Sequence, residues 1–184
     1  ITCKIHCMGY GGAKAALDAY QSLREKRPDG PRHEIAHCTR VLPEDFPRFK
    51  RLNVTAEMSP AMCFDNGDNE YLQLTKHDFR GMLSEGAHMT IGSDWAHGLE
   101  LPMLRNTAIV AKTVGAEKVL EMITLAGAVA TGRDQEAGSI ETGKLANFIC
   151  VDRDLTKGGF ANAEVLKTWF EGELVYEHAR DLTF

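Results

Sequence analysis

The sequence predicts an α/β fold with a parallel sheet, followed by a small all-β element. Two observations carry this. Short apolar runs alternate with helical patterns over the first two-thirds of the chain, and only strand signals remain after about residue 132.

Ile1 to Cys7 reads as the first strand, broken by Gly9, Gly11 and Gly12. Ala13, Ala16, Leu17, Tyr20 and Leu23 then recur at helical spacing until the Pro28–Pro31 segment stops them. His33 to Cys38 is the second strand. Pro43-Glu44-Asp45 opens the second helix, its acidic residues placed where the helix dipole favours them, and Phe46, Phe49 and Leu52 form the buried stripe. Asn53 to Met58 is the third strand. A polar loop follows, and Thr75 is expected to cap the third helix, with Phe79, Met82 and Leu83 inward. Ala87 to Ser93 is the fourth strand. A fourth helix starts at Pro102, and a fifth is expected over Glu117 to Thr131. Strand–helix repeats at this spacing mean right-handed βαβ units. Four of them make either half of an eight-stranded barrel or a small open sheet. Beyond them, Leu145 to Val151 is β-rich, and Glu171-Gly172-Glu173 between two apolar runs signals a hairpin. Residues 1–134 and 135–184 are therefore expected to form separate units.

Composition narrows the function. The chain has 184 residues, 43% of them hydrophobic, and 21 basic against 26 acidic residues give a net charge of −5. Mild acidity without a basic cluster excludes nucleic acid and anionic membrane surfaces as expected partners and leaves a small-molecule substrate. No apolar run approaches the roughly 18–20 residues of a membrane span. Five scattered cysteines (Cys3, Cys7, Cys38, Cys63 and Cys150) read as free, mostly packed thiols in a reducing compartment, which points to the cytoplasm.

Three polar residues fall at strand ends: His6, His37 and Asp94. In parallel α/β folds the carboxyl ends of the strands face the ligand. Two imidazoles and a carboxylate converging there would make a divalent-metal site of nitrogen and oxygen ligands. Strand alternation puts His88, Thr90, Gly92 and Asp94 on one face. Hydrogen-bonded structural histidines are the competing reading, since separations of 31 and 57 residues match no local metal motif. Trp95 and His97 follow Asp94 in a loop above the site and are candidates for substrate contact. His33 begins its strand and reads as structural, and His77 and His178 read as solvated. Gly9, Gly11 and Gly12 fit neither nucleotide-binding glycine pattern and read as a tight turn.

The stretches Ile5-His6-Cys7-Met8-Gly9, Arg32 to Cys38 with Pro43 to Phe49, Ile91-Gly92-Ser93-Asp94-Trp95 and Gly138 to Asn147 occur in the order seen in one superfamily. They resemble the fifth, sixth and eighth barrel strands and the start of the small β domain of the amidohydrolases, closest to the N-substituted formamide deformylase group. Val165 to Glu177 resembles that domain's last hairpin. The resemblance implies an α/β fold made of the C-terminal half of a (β/α)8 TIM barrel, strands five to eight, plus strands of a small β-sandwich. It implies a divalent metal, zinc before others and one or two ions, with His6, His37 and Asp94 in the metal centre and Asp94 catalytic. Hydrolysis of a C–N bond in an amide, formamide or cyclic amide is the implied activity. A deaminase or other metal hydrolase of the superfamily, and a non-catalytic remnant, stay open beside it.

Tyr10 stands where the family often has an acidic residue, and Thr142 and Asn147 replace common proline and aspartate. The family's His-x-His of the first strand and its fourth-strand ligand have no counterpart. The chain is therefore expected to be a C-terminal fragment, inactive and weakly metal-binding alone, that self-associates or pairs with a missing N-terminal half.

Overall fold

The computed structural model describes residues 1–60, 77–94 and 103–179. Four short parallel strands, β1 (Lys4–His6), β2 (His33–Ala36), β3 (Val54–Met58) and β4 (His88–Ile91), form one sheet in sequence order. The register pairs His6 with Ala36, Ile35 with Ala56 and Met58 with Ile91, so the carboxyl ends of all four lie along one edge.

Helix α1 (Gly9–Lys26) connects β1 to β2 and buries Ala13, Ala16, Leu17 and Tyr20 of the stripe expected from its spacing, while Leu23, expected with them, is exposed. The three glycines lie in its opening turns rather than in a separate turn after the strand. Tyr20 also anchors the amino ends of the strands: its hydroxyl donates to Glu34 O at 3.0 Å and its ring stacks on His33 at 4.8 Å. His33 Nδ1 accepts from the Cys3 amide at 3.1 Å, so this histidine is structural, as its place at the strand start implies. After β2, Pro43–Asp45 forms a 3-10 turn that runs into α2 (Phe46–Arg51).

Two boundaries differ from the sequence reading. Helix α3 (Phe79–Ser84) is capped by Asp78, whose carboxylate accepts from the Gly81 amide at 2.8 Å; Thr75 lies outside the described residues. The helix expected over 117–131 is two, α5 (Ala116–Ile123) and α6 (Leu125–Thr131), following α4 (Met103–Val114). Thr124 breaks it. Its hydroxyl donates back to Leu120 O at 2.6 Å and its backbone leaves the helical region, a known liability of threonine inside helices.

The second sheet is antiparallel: β5 (Phe148–Val151), β6 (Val165–Phe170) and β7 (Glu173–Glu177). Glu171 and Gly172, at φ 50° and 86°, make the two-residue turn between the last two. Positive φ at both positions matches the twist of the flanking strands. Strands are not the whole of this region, because 3-10 turns at Leu155–Lys157 and Phe160–Asn162 precede the hairpin. Leu155 and Phe160 from these turns join the same core as Phe49, Met58, Val110 and Val119. Burying two large side chains in that core is worth several kcal/mol and ties the turns to the helices over the parallel sheet. Among the described residues, no helix is long and apolar enough to cross a membrane.

Candidate metal centre

His6 is the last residue of β1, and His37 follows the last residue of β2. Parallel pairing sets them side by side, and His6 Nδ1 lies 2.8 Å from His37 Nε2 with the rings edge to face. His37 has φ 72° and Asp94 φ 44°, both in the left-handed region that costs a non-glycine residue roughly 1–3 kcal/mol. Cys38 and Arg40 beside His37 share this conformation. Strain concentrated at strand ends survives only where the surroundings enforce it.

Those surroundings are specific. The His37 amide donates to Glu57 Oε2 at 3.3 Å, its carbonyl accepts from His77 Nε2 at 2.7 Å, and its Nδ1 lies 2.9 Å from Ser59 Oγ. With His6 on Nε2, all four polar atoms of His37 are engaged, and the residue is only 6% exposed. The loop beyond is tied back as well, since Thr39 Oγ1 accepts from the Gly9 amide at 2.9 Å.

Burial pushes the His37 imidazole towards its neutral form, while the Asp94 and Glu57 carboxylates pull the other way. Asp94 thus acts electrostatically on His37. Neutral imidazoles are the form that binds metals. Nitrogens bound to one tetrahedral zinc at about 2.0–2.1 Å lie roughly 3.3 Å apart, so the facing pair would open by about half an ångström to take an ion. The donor chemistry fits two positions of a divalent metal. Among the described residues, no group of three His, Cys, Asp or Glu side chains is gathered closely enough to hold an ion by itself.

Two residues at this centre escaped the sequence reading. His77 is not solvated; its ring nitrogen clamps the His37 carbonyl, and burial lowers its pKa. Glu57 sits inside a strand whose five residues are all buried. Its Oε1 accepts from Ser59 Oγ at 3.2 Å and its Oε2 lies 3.7 Å from Lys4 Nζ. A carboxylate in a buried strand always needs such partners, which was a legible signal. Gly92 makes room for it, because a Cβ there would overlap Glu57 Oε1. His178 is exposed, as expected, and of the cysteines Cys7 and Cys38 are buried while Cys3 and Cys150 are exposed. Trp95, His97 and Cys63 lie outside the described residues.

Residues 1–176 match the amidohydrolase family over nearly the whole chain. The chain belongs to that family. It is 29% identical over 201 residues to the N-substituted formamide deformylase of Arthrobacter pascens, covering 96% of this chain and 37% of that protein. It is 31% identical over 128 residues to the 5-methylthioadenosine/S-adenosylhomocysteine deaminase of Moorella thermoacetica, covering 64% and 28%. A zinc-bound adenosine deaminase from Xanthomonas campestris shares its fold with a TM-score of 0.68 at 22% identity, over 93% of this chain and 44% of that one. This amidohydrolase chain thus spans about a third of the length of the curated relatives it matches.

Proposed function

We propose that this chain contributes part of the active centre of a metal-dependent hydrolase that cleaves C–N bonds in amides, formamides or cyclic amides. The facing nitrogens of His6 and His37 at the carboxyl ends of adjacent parallel strands, in an amidohydrolase family chain, carry this reading. When bound, a divalent ion such as zinc supplies Lewis acidity, acidifying water and polarising a carbonyl. His6 Nδ1 and His37 Nε2 would hold it, and Asp94 would add a carboxylate. Asp94 takes the proton of the attacking water and returns it to the leaving nitrogen, which lets the amine depart neutral. Trp95 and His97, next along the chain from Asp94, are the proposed substrate contacts.

The four parallel strands serve in this reading as half of an eight-stranded barrel, and residues 135–184 as part of a small β domain. Among the described residues β1 and β4 are the outer strands of their sheet, and Phe148, Ile149, Phe170, Leu174, Val175 and Tyr176 of the second sheet are exposed. Open edges and apolar surface of this kind recruit further strands, so the chain is proposed to pair with a complementary N-terminal half or with a second copy.

A deaminase is the second reading, favoured by the deaminase relative and the deaminase fold neighbour. A panel of N-substituted formamides, simple amides, cyclic amides and aminopurine nucleosides, assayed on the whole protein, tests the choice. Formate or carboxylate release without ammonia from the nucleosides supports the amidase, ammonia from the nucleosides supports the deaminase, and no turnover of any of them defeats both.

A further inference from the structure

We propose that Glu57 is a positioning residue: through Ser59 it fixes His37 with its proton on Nδ1, so that the Nε2 lone pair is offered to a divalent metal. The inference rests on the metal-centre reading above and adds what selects the binding form of the imidazole.

The direction of the hydrogen bonds follows from counting protons. A carboxylate only accepts, so the contact between Ser59 Oγ and Glu57 Oε1 at 3.2 Å uses the single hydroxyl proton of Ser59. Ser59 Oγ then has only lone pairs for His37, and the 2.9 Å contact to Nδ1 must be made by an Nδ1–H. A neutral imidazole carries one such proton, so Nε2 is left bare, and it is the nitrogen that faces His6. In the ion-free pair His6 Nδ1–H donates to it; to admit an ion the pair would open slightly and His6 would shift its proton to its own Nε2.

Glu57 is well placed to set this polarity. Its other oxygen accepts from the His37 amide at 3.3 Å, so one carboxylate holds both the backbone and, through Ser59, the ring of the same residue. Lys4 Nζ at 3.7 Å offsets its charge, and the missing side chain of Gly92 leaves it space. Glu57 is 6% exposed and Ser59 fully buried, so water does not compete for these bonds. A histidine that binds metal commonly hands its other ring proton to a neighbouring acceptor, and loss of that acceptor typically weakens metal affinity 10–100-fold.

The test uses the whole protein, stripped of metal with a chelator and labelled with 15N-histidine. Long-range proton–nitrogen correlation spectra read the tautomer of His37, assigned by its disappearance in His37→Gln. The wild type should show the proton on Nδ1. In Glu57→Gln the carboxamide can donate to Ser59, the hydroxyl turns towards His37 Nδ1, and the ring should switch to the Nε2–H form. Ser59→Ala should give a mixture of tautomers, and it carries the test if Glu57→Gln does not fold. Cobalt(II) titration, followed by its visible absorption, should show roughly 10–100-fold weaker binding in both. Retention of the Nδ1–H tautomer in both variants overturns the proposal. If the tautomers shift as expected but the wild type binds no cobalt, the positioning of His37 stands and the metal-centre reading falls.

Discussion

His77 Nε2 donates to the backbone carbonyl of His37 across 2.7 Å, although 40 residues separate the two. The bond closes one side of a strained backbone whose φ is 72°. His77→Phe removes the donor and leaves a buried carbonyl unpaired. We expect a loss of about 1–3 kcal/mol in urea unfolding, with partial recovery in His77→Gln, whose amide can still donate.

Asp94→Asn separates holding the metal from moving the proton. Cobalt affinity should fall less than about tenfold, because the two imidazoles remain. Turnover by the whole protein should fall by roughly 10²–10⁴, the usual contribution of a positioned general base. Steady-state kinetics beside a cobalt titration reads both; equal losses in the two would make Asp94 a ligand only.

Gly92→Ala should act on a residue it does not adjoin in sequence. The added methyl overlaps Glu57 Oε1, so the carboxylate must move and slacken its hold on Ser59 and on the His37 amide. Overpacking of this kind costs about 1–3 kcal/mol. Thermal unfolding should show the loss, and Glu57→Asp, one methylene shorter, should relieve part of it.

His88 gives the fold a pH dependence away from the metal centre. Burial, helped by the nearby Arg32 charge, lowers its pKa to about 4, and Nδ1 lies 3.0 Å from Thr55 Oγ1. Below about pH 6.5 the unfolded chain takes up a proton that the folded chain refuses until about pH 4. Stability from the neutral ring is therefore complete above pH 6.5 and is lost progressively as pH falls towards 4, on the order of 2–3 kcal/mol in all. Urea midpoints measured between pH 7 and 4 should fall less steeply in His88→Asn.

The order of the parallel strands, the buried stripe of α1 as far as Tyr20 and the tight turn at Glu171-Gly172 were legible because each follows from local periodicity or turn chemistry. The convergence of His6 and His37 was legible too, because strand ends in a parallel sheet share an edge. His77 was not, and Glu57 was legible only as a charge inside an apolar strand: its partners lie on other strands and loops, and nothing near it in sequence announces Lys4 or Gly92. Thr124 was missed for a different reason: the apolar spacing continues through it, while its hydroxyl bonds back to Leu120 and ends the helix.

The most direct test of the metal centre is an anomalous-scattering map from crystals of the whole protein loaded with cobalt. We expect a peak about 2.0–2.2 Å from both His6 Nδ1 and His37 Nε2, with the Asp94 carboxylate beside it. No peak at that position, or an ion held by other residues while His6 and His37 keep their mutual hydrogen bond, would contradict the assignment.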